Sequence, residues 1–216
     1  MINTTIFDFD GVILDSNQAK TQAFLELYKN EKKNHKDLIL NFHKNNLGLS
    51  RFNKIDYFQK KILKKDYDER NIKNKLDIFS KIVLKNILKC QFIEGVLNFI
   101  KCLNIKSINL FISSGTPEKE LNYICNKLKI DNYFVDIFGS PDSKKSHIER
   151  IIKKYKIKND EILFIGDSLL DYRISIETNV KFIGVGCSIS NNIKKNIFYI
   201  ESFNQTDNIF SKFMFK

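Results

Sequence analysis

No stretch of this 216-residue chain approaches the roughly eighteen uninterrupted apolar residues that a membrane-spanning helix needs. The opening MINTTIFDFDG has no basic segment ahead of its apolar residues, and an acid appears by position 8. A secretory leader is therefore not expected, and the chain reads as cytoplasmic with no membrane role. The cysteines Cys90, Cys102, Cys125 and Cys187 are widely separated, with no C-x-x-C pair and no paired histidines nearby, which argues against zinc sites and disulfide frameworks. Cys90, Cys102 and Cys125 sit among apolar neighbours and read as small buried hydrophobes. There is no internal repeat and no low-complexity linker. Arginine is scarce as well, at four of the 36 basic residues. The net charge of +11 comes from lysines spread along the whole chain, mixed with asparagine and isoleucine. A nucleic-acid surface would concentrate that charge in a patch. The expectation is no nucleic-acid partner and a mild attraction for small anions.

What is present is an ordinary soluble composition, 43% hydrophobic and 28% charged, enough for one large domain or one domain with an insertion. Short apolar runs alternate with longer helical patterns, the mark of an α/β fold. Strands are expected at Thr5–Phe9, Asn109–Ser113, Tyr133–Ile137, Ile162–Ile165 and Lys181–Val185. Most of these runs are apolar throughout, as in a parallel sheet covered on both faces. Helices are expected at Glu118–Lys129 and Lys145–Tyr155. From about Asp15 to Glu94 no strand is convincing. Apolar residues instead recur every three to four positions, at Phe52, Ile55, Phe58 and Ile62 and again at Leu76, Phe79, Val83 and Ile87. An α-helical domain of residues 15–94, inserted into a Rossmann-like core of residues 1–14 and 95–216, is the organisation this implies. After Gly186 come a short strand at Phe198–Ile200 and a terminal helix from about Gln205.

Two acidic clusters follow apolar runs. Phe7-Asp8-Phe9-Asp10-Gly11-Val12 ends a strand in two acids, at the sheet edge where open α/β folds bind ligands. A plain Asp-Gly turn is the bland reading. Ile165-Gly166-Asp167-Ser168-Leu169-Leu170-Asp171 repeats the pattern, with Asp171 in the first turn of a helix starting near Ser168. Asp8, Asp167 and the Asp10 carbonyl could offer hard oxygen ligands to magnesium, with Asp171 close by or acting through water. Asp171 could equally complement the helix dipole. In Ser113-Ser114-Gly115-Thr116-Pro117, Thr116 suits an N-cap and Pro117 a first helical residue. Backbone N–H groups near Ser114 and Gly115 then suit an anion, although a mere capped turn looks the same. Lys144 or Lys145 could neutralise a phosphate, while a lone lysine in so basic a chain is ordinarily solvated.

Asp8-Phe-Asp10-Gly, a strand ending at Ser114, Lys144, and Gly-Asp167-x3-Asp171 occur in the order and approximate spacing of four motifs, and by them the chain resembles the haloacid dehalogenase superfamily. The helical insertion stands where members of the phosphoglycolate phosphatase and β-phosphoglucomutase type carry a cap. The resemblance implies that Asp8 attacks phosphorus and forms an aspartyl phosphate, and that Asp10 protonates the leaving alcohol and then activates water. It implies a phosphate held by Gly11, Ser114, Gly115 and Lys144, with Ser113 and Lys145 as the competing neighbours. Magnesium is expected at Asp8, Asp10, Asp167 and Asp171. Dehalogenases lack an acid at the place of Asp10, and phosphonate-cleaving members use a cap lysine, of which none here stands out as buried. The expected function is a magnesium-dependent phosphatase for a small phosphorylated metabolite, such as phosphoglycolate or a sugar phosphate. A phosphomutase and a non-catalytic phosphometabolite-binding protein are the alternatives. In the Leu47-Gly48-Leu49-Ser50-Arg51 segment, Arg51 could meet an anionic substrate group, with Asn17 and Lys20 lining the entrance. A monomer is expected, because the cap already covers the site.

Overall fold

A computed structural model describes residues 1–66, 68–186, 197–205 and 209–214. Cys187 lies outside them. Six strands form one sheet, all paired in parallel: β1 (Thr4–Phe7), β2 (Asn109–Pro117), β3 (Asp136–Ser140), β4 (Ile162–Gly166), β5 (Lys181–Val185) and β6 (Phe198–Ile200). Their order across the sheet is β3-β2-β1-β4-β5-β6. The order reverses beside β1, and such a reversal opens a crevice at the carboxyl ends of the strands.

Alternate residues along each strand supply two separate cores. Phe7, Leu110, Ile112 and Ile165 pack on one face with Phe99, Leu121 and Phe203. Ile6, Phe111, Phe138 and Phe164 pack on the other with Ile148 and Ile151. The flanking helices are α5 (Val96–Ile105), α6 (Glu118–Lys127), α7 (Lys144–Tyr155) and α8 (Leu169–Glu177). The Rossmann-like parallel sheet expected from the apolar runs is therefore present.

Between β1 and α5 stand only helices among the described residues: α1 (Asn17–Leu27), α2 (Lys33–Asn45), α3 (Arg51–Tyr57), which runs on into a π-helical turn at Phe58–Ile62, and α4 (Glu69–Ile87). Their shared interior is aromatic. Phe24 packs on Phe79 with centroids 4.3 Å apart and on Phe58 at 5.4 Å. Each such buried ring contributes about 2 kcal/mol of transfer free energy.

Several boundaries differ from expectation. The third strand begins at Asp136 rather than Tyr133. Tyr133 closes a short 3-10 turn, Phe134 packs edge-on against Phe7, and Val135 is half exposed. The apolar run thus plugs the core end, and pairing with β2 starts only at Phe111↔Asp136. Strand β2 continues through Thr116 and Pro117, so Thr116 is no N-cap; Pro117 takes that place and α6 starts at Glu118. Phe52 points outward, 48% exposed. Cys90 and Cys102 are half-buried, and of the three described cysteines only Cys125 is buried. Of the terminal helix expected from about Gln205, the described residues show a 3-10 turn at Phe203–Gln205 and a π-helical turn at Phe210–Met214, and 206–208 lie outside them. No described helix is long and apolar enough to cross a membrane.

Candidate active site

The carboxyl ends of β1, β2 and β4 converge because these strands are neighbours in the sheet. Asp8 follows β1 directly, its N–H donating to the Ile165 carbonyl of β4 at 2.8 Å. The next residues curl into a tight loop in which Gly11 N–H donates to Leu14 O (2.8 Å). Gly11 has φ +79°, the left-handed region that glycine adopts without strain. A side chain there would also collide with Asp167 and Asn17. Asp167 leaves the end of β4, and Asn17 Nδ2 donates to its Oδ2 at 2.8 Å. Ser168 caps α8 and forms a capping box with Asp171. Gly166 is small for the same reason, since a Cβ would stand 2.5 Å from that of Asp171.

Asp8, Asp167 and Asp171 are all buried, and one carboxylate oxygen from each lies within 4.8 Å of the others. Lys144, from the first turn of α7, bridges Asp8 Oδ2 (2.7 Å) and Asp171 Oδ1 (2.6 Å). Burial would lower the Lys144 pKa, but Asp171 and Asp8 outweigh it and hold the ammonium charged. One cation facing three acids leaves negative charge uncompensated. Burial, then repulsion from Asp171, pushes Asp167 up to about 7. Burial likewise raises Asp8 well above the carboxylate range, against the opposing pull of Lys144. A buried, oxygen-only donor set with excess negative charge fits a hard divalent cation such as magnesium.

Asp10 points elsewhere. Its carboxylate accepts from Ser16 Oγ at 2.6 Å and Thr116 Oγ1 at 3.1 Å, and it pairs with Lys20. Burial would raise its pKa, but the Lys20 charge and these hydrogen bonds together hold it below the usual range. The Asp10 side chain is thus engaged away from the acid cluster, and the metal role expected of Asp10 falls to its main-chain carbonyl, which these contacts leave untouched. The competing neighbours separate clearly. Ser114 Oγ donates to Asp10 at 3.4 Å and accepts from the Thr116 N–H, whereas Ser113 Oγ is bonded to His147 of α7 at 2.9 Å. Lys145 sits outside in an exposed pair with Glu177. The pairing register of β2 shifts between Ser113 and Pro117, which frees Ser114 and Gly115 from the ladder at the edge of the crevice.

A narrow cleft lies above these groups, lined by the strand ends on one side and by Phe24, Leu47–Leu49, Arg51, Lys54 and Phe79 of the helical layer on the other. The loop at Gly48–Ser50 touches the core, where a Gly115 Cβ would meet the Gly48 carbonyl and the Ser50 nitrogen at 3.3 Å. Arg51 does not stand free for a substrate. It is buried, forked onto Glu120 of α6 (2.8 and 2.6 Å), bonded to Ser80 and stacked over Phe79. A second expectation fails outright: one lysine of the helical layer is deeply buried. Lys54, 3% exposed, lines the cleft. Lys54 stands three residues after Arg51, on the same helix face, a spacing that does not by itself tell a buried lysine from a solvated one.

The family model described as haloacid dehalogenase-like hydrolase matches residues 5–185. No curated protein matches the chain in sequence. Among solved structures, a β-phosphoglucomutase from Clostridium difficile superposes with a TM-score of 0.79 at 20% identity, covering 99% of this chain and 97% of its own. A predicted phosphatase from Clostridium acetobutylicum gives 0.77 at 19% identity, covering 98% and 99%. A predicted phosphoglycolate phosphatase from Haemophilus somnus gives 0.76 at 18% identity, covering 96% and 97%. Likeness at these identities establishes a common fold.

Proposed function

This chain belongs to the haloacid dehalogenase-like hydrolases, and we propose that it is a magnesium-dependent phosphatase acting on a small phosphorylated metabolite. The observation that carries this reading is Lys144 joining Asp8 to the second acidic cluster at adjacent strand ends. That arrangement holds one carboxylate in place at the cleft floor and leaves net negative charge for a divalent cation to neutralise before an anionic substrate can enter. Asp8, Asp167 and Asp171, with the main-chain carbonyl of Asp10, would hold the magnesium. Bound there, the ion neutralises repulsion between carboxylate and phosphate and polarises the P–O bonds.

Asp8 attacks phosphorus; the Asp8 O–P bond forms as the ester P–O bond breaks. The departing alkoxide takes its proton from Asp10. Asp10 is held as a carboxylate in the free site; it takes up that proton from water when the entering phosphate draws the Lys20 ammonium away from it. Water then attacks the aspartyl phosphate, giving its proton to Asp10 and releasing inorganic phosphate and Asp8. Ser114, the N–H groups at Gly115, and Lys144 hold the phosphate oxygens. Residues 15–94 serve as a cap that shields the intermediate and reads the leaving group.

The test is phosphate release from a panel of phosphorylated metabolites, with magnesium or EDTA, by wild type and Asp8→Asn. Magnesium-dependent release that disappears in the folded variant is expected. Transfer to a second sugar hydroxyl in place of release would make the protein a phosphomutase, and binding without either reaction would make it a phosphometabolite-binding protein.

A further inference from the structure

Four basic side chains line the cleft: Lys20, Arg51, Lys54 and Lys144. Three face carboxylates, namely Asp10, Glu120, and the Asp8–Asp171 pair. Among the described residues Lys54 has no carboxylate partner. Its ammonium donates to the Leu47 carbonyl at 3.2 Å and lies 3.1 Å from His43 Nδ1. The direction of that second contact follows from proton counting. Thr21 spends its single hydroxyl proton on the Asn17 carbonyl at 2.8 Å. It must therefore accept from His43 Nε2–H at 3.1 Å, which leaves Nδ1 as the acceptor for Lys54. Burial, then the neighbouring Lys54 charge, pushes the His43 pKa down to about 2, consistent with a neutral acceptor.

Two of three ammonium protons are thus used inside the protein, and one remains for the cleft. A buried ammonium held only by neutral acceptors is costly, and burial followed by repulsion from Lys20 lowers its pKa to about 7. A substrate anion would remove that cost. The transferred phosphate already has Lys144, Ser114 and Gly115, whereas Lys54 belongs to α3 in the helical layer across the cleft. Arg51, three residues earlier, is closed off by Glu120.

We propose that Lys54 is the counter-ion for a second anionic group on the leaving-group part of the substrate, so that the enzyme selects phosphate monoesters whose alcohol carries a carboxylate or a further phosphate. This rests on the phosphatase reading above and adds to it the class of substrate. His43 is a positioning residue, aiming the ammonium through its Nδ1.

Two matched pairs of probes test the proposal: 2-phosphoglycolate against ethyl phosphate, and fructose 1,6-bisphosphate against fructose 1-phosphate. Wild type should favour the member with the second anionic group in at least one pair by about tenfold or more in kcat/KM, the order expected for a buried ion-pair partner. Lys54→Met should erase that preference through KM with kcat little changed, and Lys54→Arg should retain part of it. Calorimetric binding of the same probes to Asp8→Asn makes the comparison without turnover, so a failed phosphatase reading is not mistaken for a failed Lys54 assignment. Lys54→Met should melt at or above the wild-type temperature, having lost a buried charge; Lys54→Gln provides a second variant. An equal preference in Lys54→Met and wild type, or none in wild type by either measurement, overturns the proposal. So does reductive trapping of Lys54 by a phosphonate aldehyde with borohydride, which would make it an imine-forming amine instead.

Discussion

Three buried acids share one ammonium at the floor of the cleft, and that imbalance has a sign that can be measured. Asp167 titrates near 7 in the folded protein and near the ordinary carboxylate value of 3.8 when unfolded. Between those values the folded state keeps a proton that the unfolded chain has lost, so ionisation favours unfolding and stability falls as pH rises. Asp8 acts in the same direction. A divalent cation displaces these protons, and its stabilisation should grow across the same window. Magnesium is therefore expected to raise the thermal midpoint little at pH 5 and clearly at pH 8. His43 and His147, held neutral with pKa values pushed down to about 2 and about 4 by burial, oppose the trend in acid. The quantity to follow is thus the difference with and without magnesium at each pH. A gain independent of pH would place the ion away from Asp167.

Helix α3 does more than contribute to the helical interior. Ser50 caps it by accepting from the Asn53 N–H, which puts Arg51 and Lys54 on one side, toward the core. Arg51 then crosses to Glu120 in the first turn of α6, with side chains only 5% and 8% exposed. This pair ties the helical layer to the sheet domain and holds the Gly48–Ser50 loop against Gly115. Removing one partner leaves the other buried and unpaired, which costs about 3 kcal/mol. Arg51→Met and Glu120→Gln should each lower stability in denaturant titrations by that order, with the double variant losing less than the sum. Strict additivity would mean the pair is not coupled.

The whole molecule carries a net charge of +11, and its cleft opens between two layers that both bear lysine. A dianionic ester is drawn by that field as well as by the groups it touches. Screening shortens the reach of the field to about 10 Å at 0.1 M salt. KM for a phosphate monoester should therefore rise about threefold between low and moderate salt while kcat stays nearly constant. An unchanged KM would show that only the buried charges of the cleft matter.

Alternation of apolar runs with helical periodicity was enough to read an α/β chain with an all-helical block after the first strand, because both patterns are local and repeat every two or every three to four residues. The placement of Asp8 and Asp167 just past apolar strands was legible on the same grounds, as was the cap at Ser168. The strand boundary at Asp136 was not, since Phe134 is apolar for the sake of Phe7 rather than for pairing. Nor could the sequence distinguish Lys144 from Lys145, Ser113 from Ser114, or a solvated Lys54 from a buried one. Each of those depends on which element packs opposite, across a separation in sequence that periodicity does not span. What the chain determines by itself is the kind of each element and the chemistry at its ends. Which charges are paired, and that Lys54 faces the cleft with no carboxylate partner among the described residues, was decided only when α3 was packed into the helical layer above the strand ends.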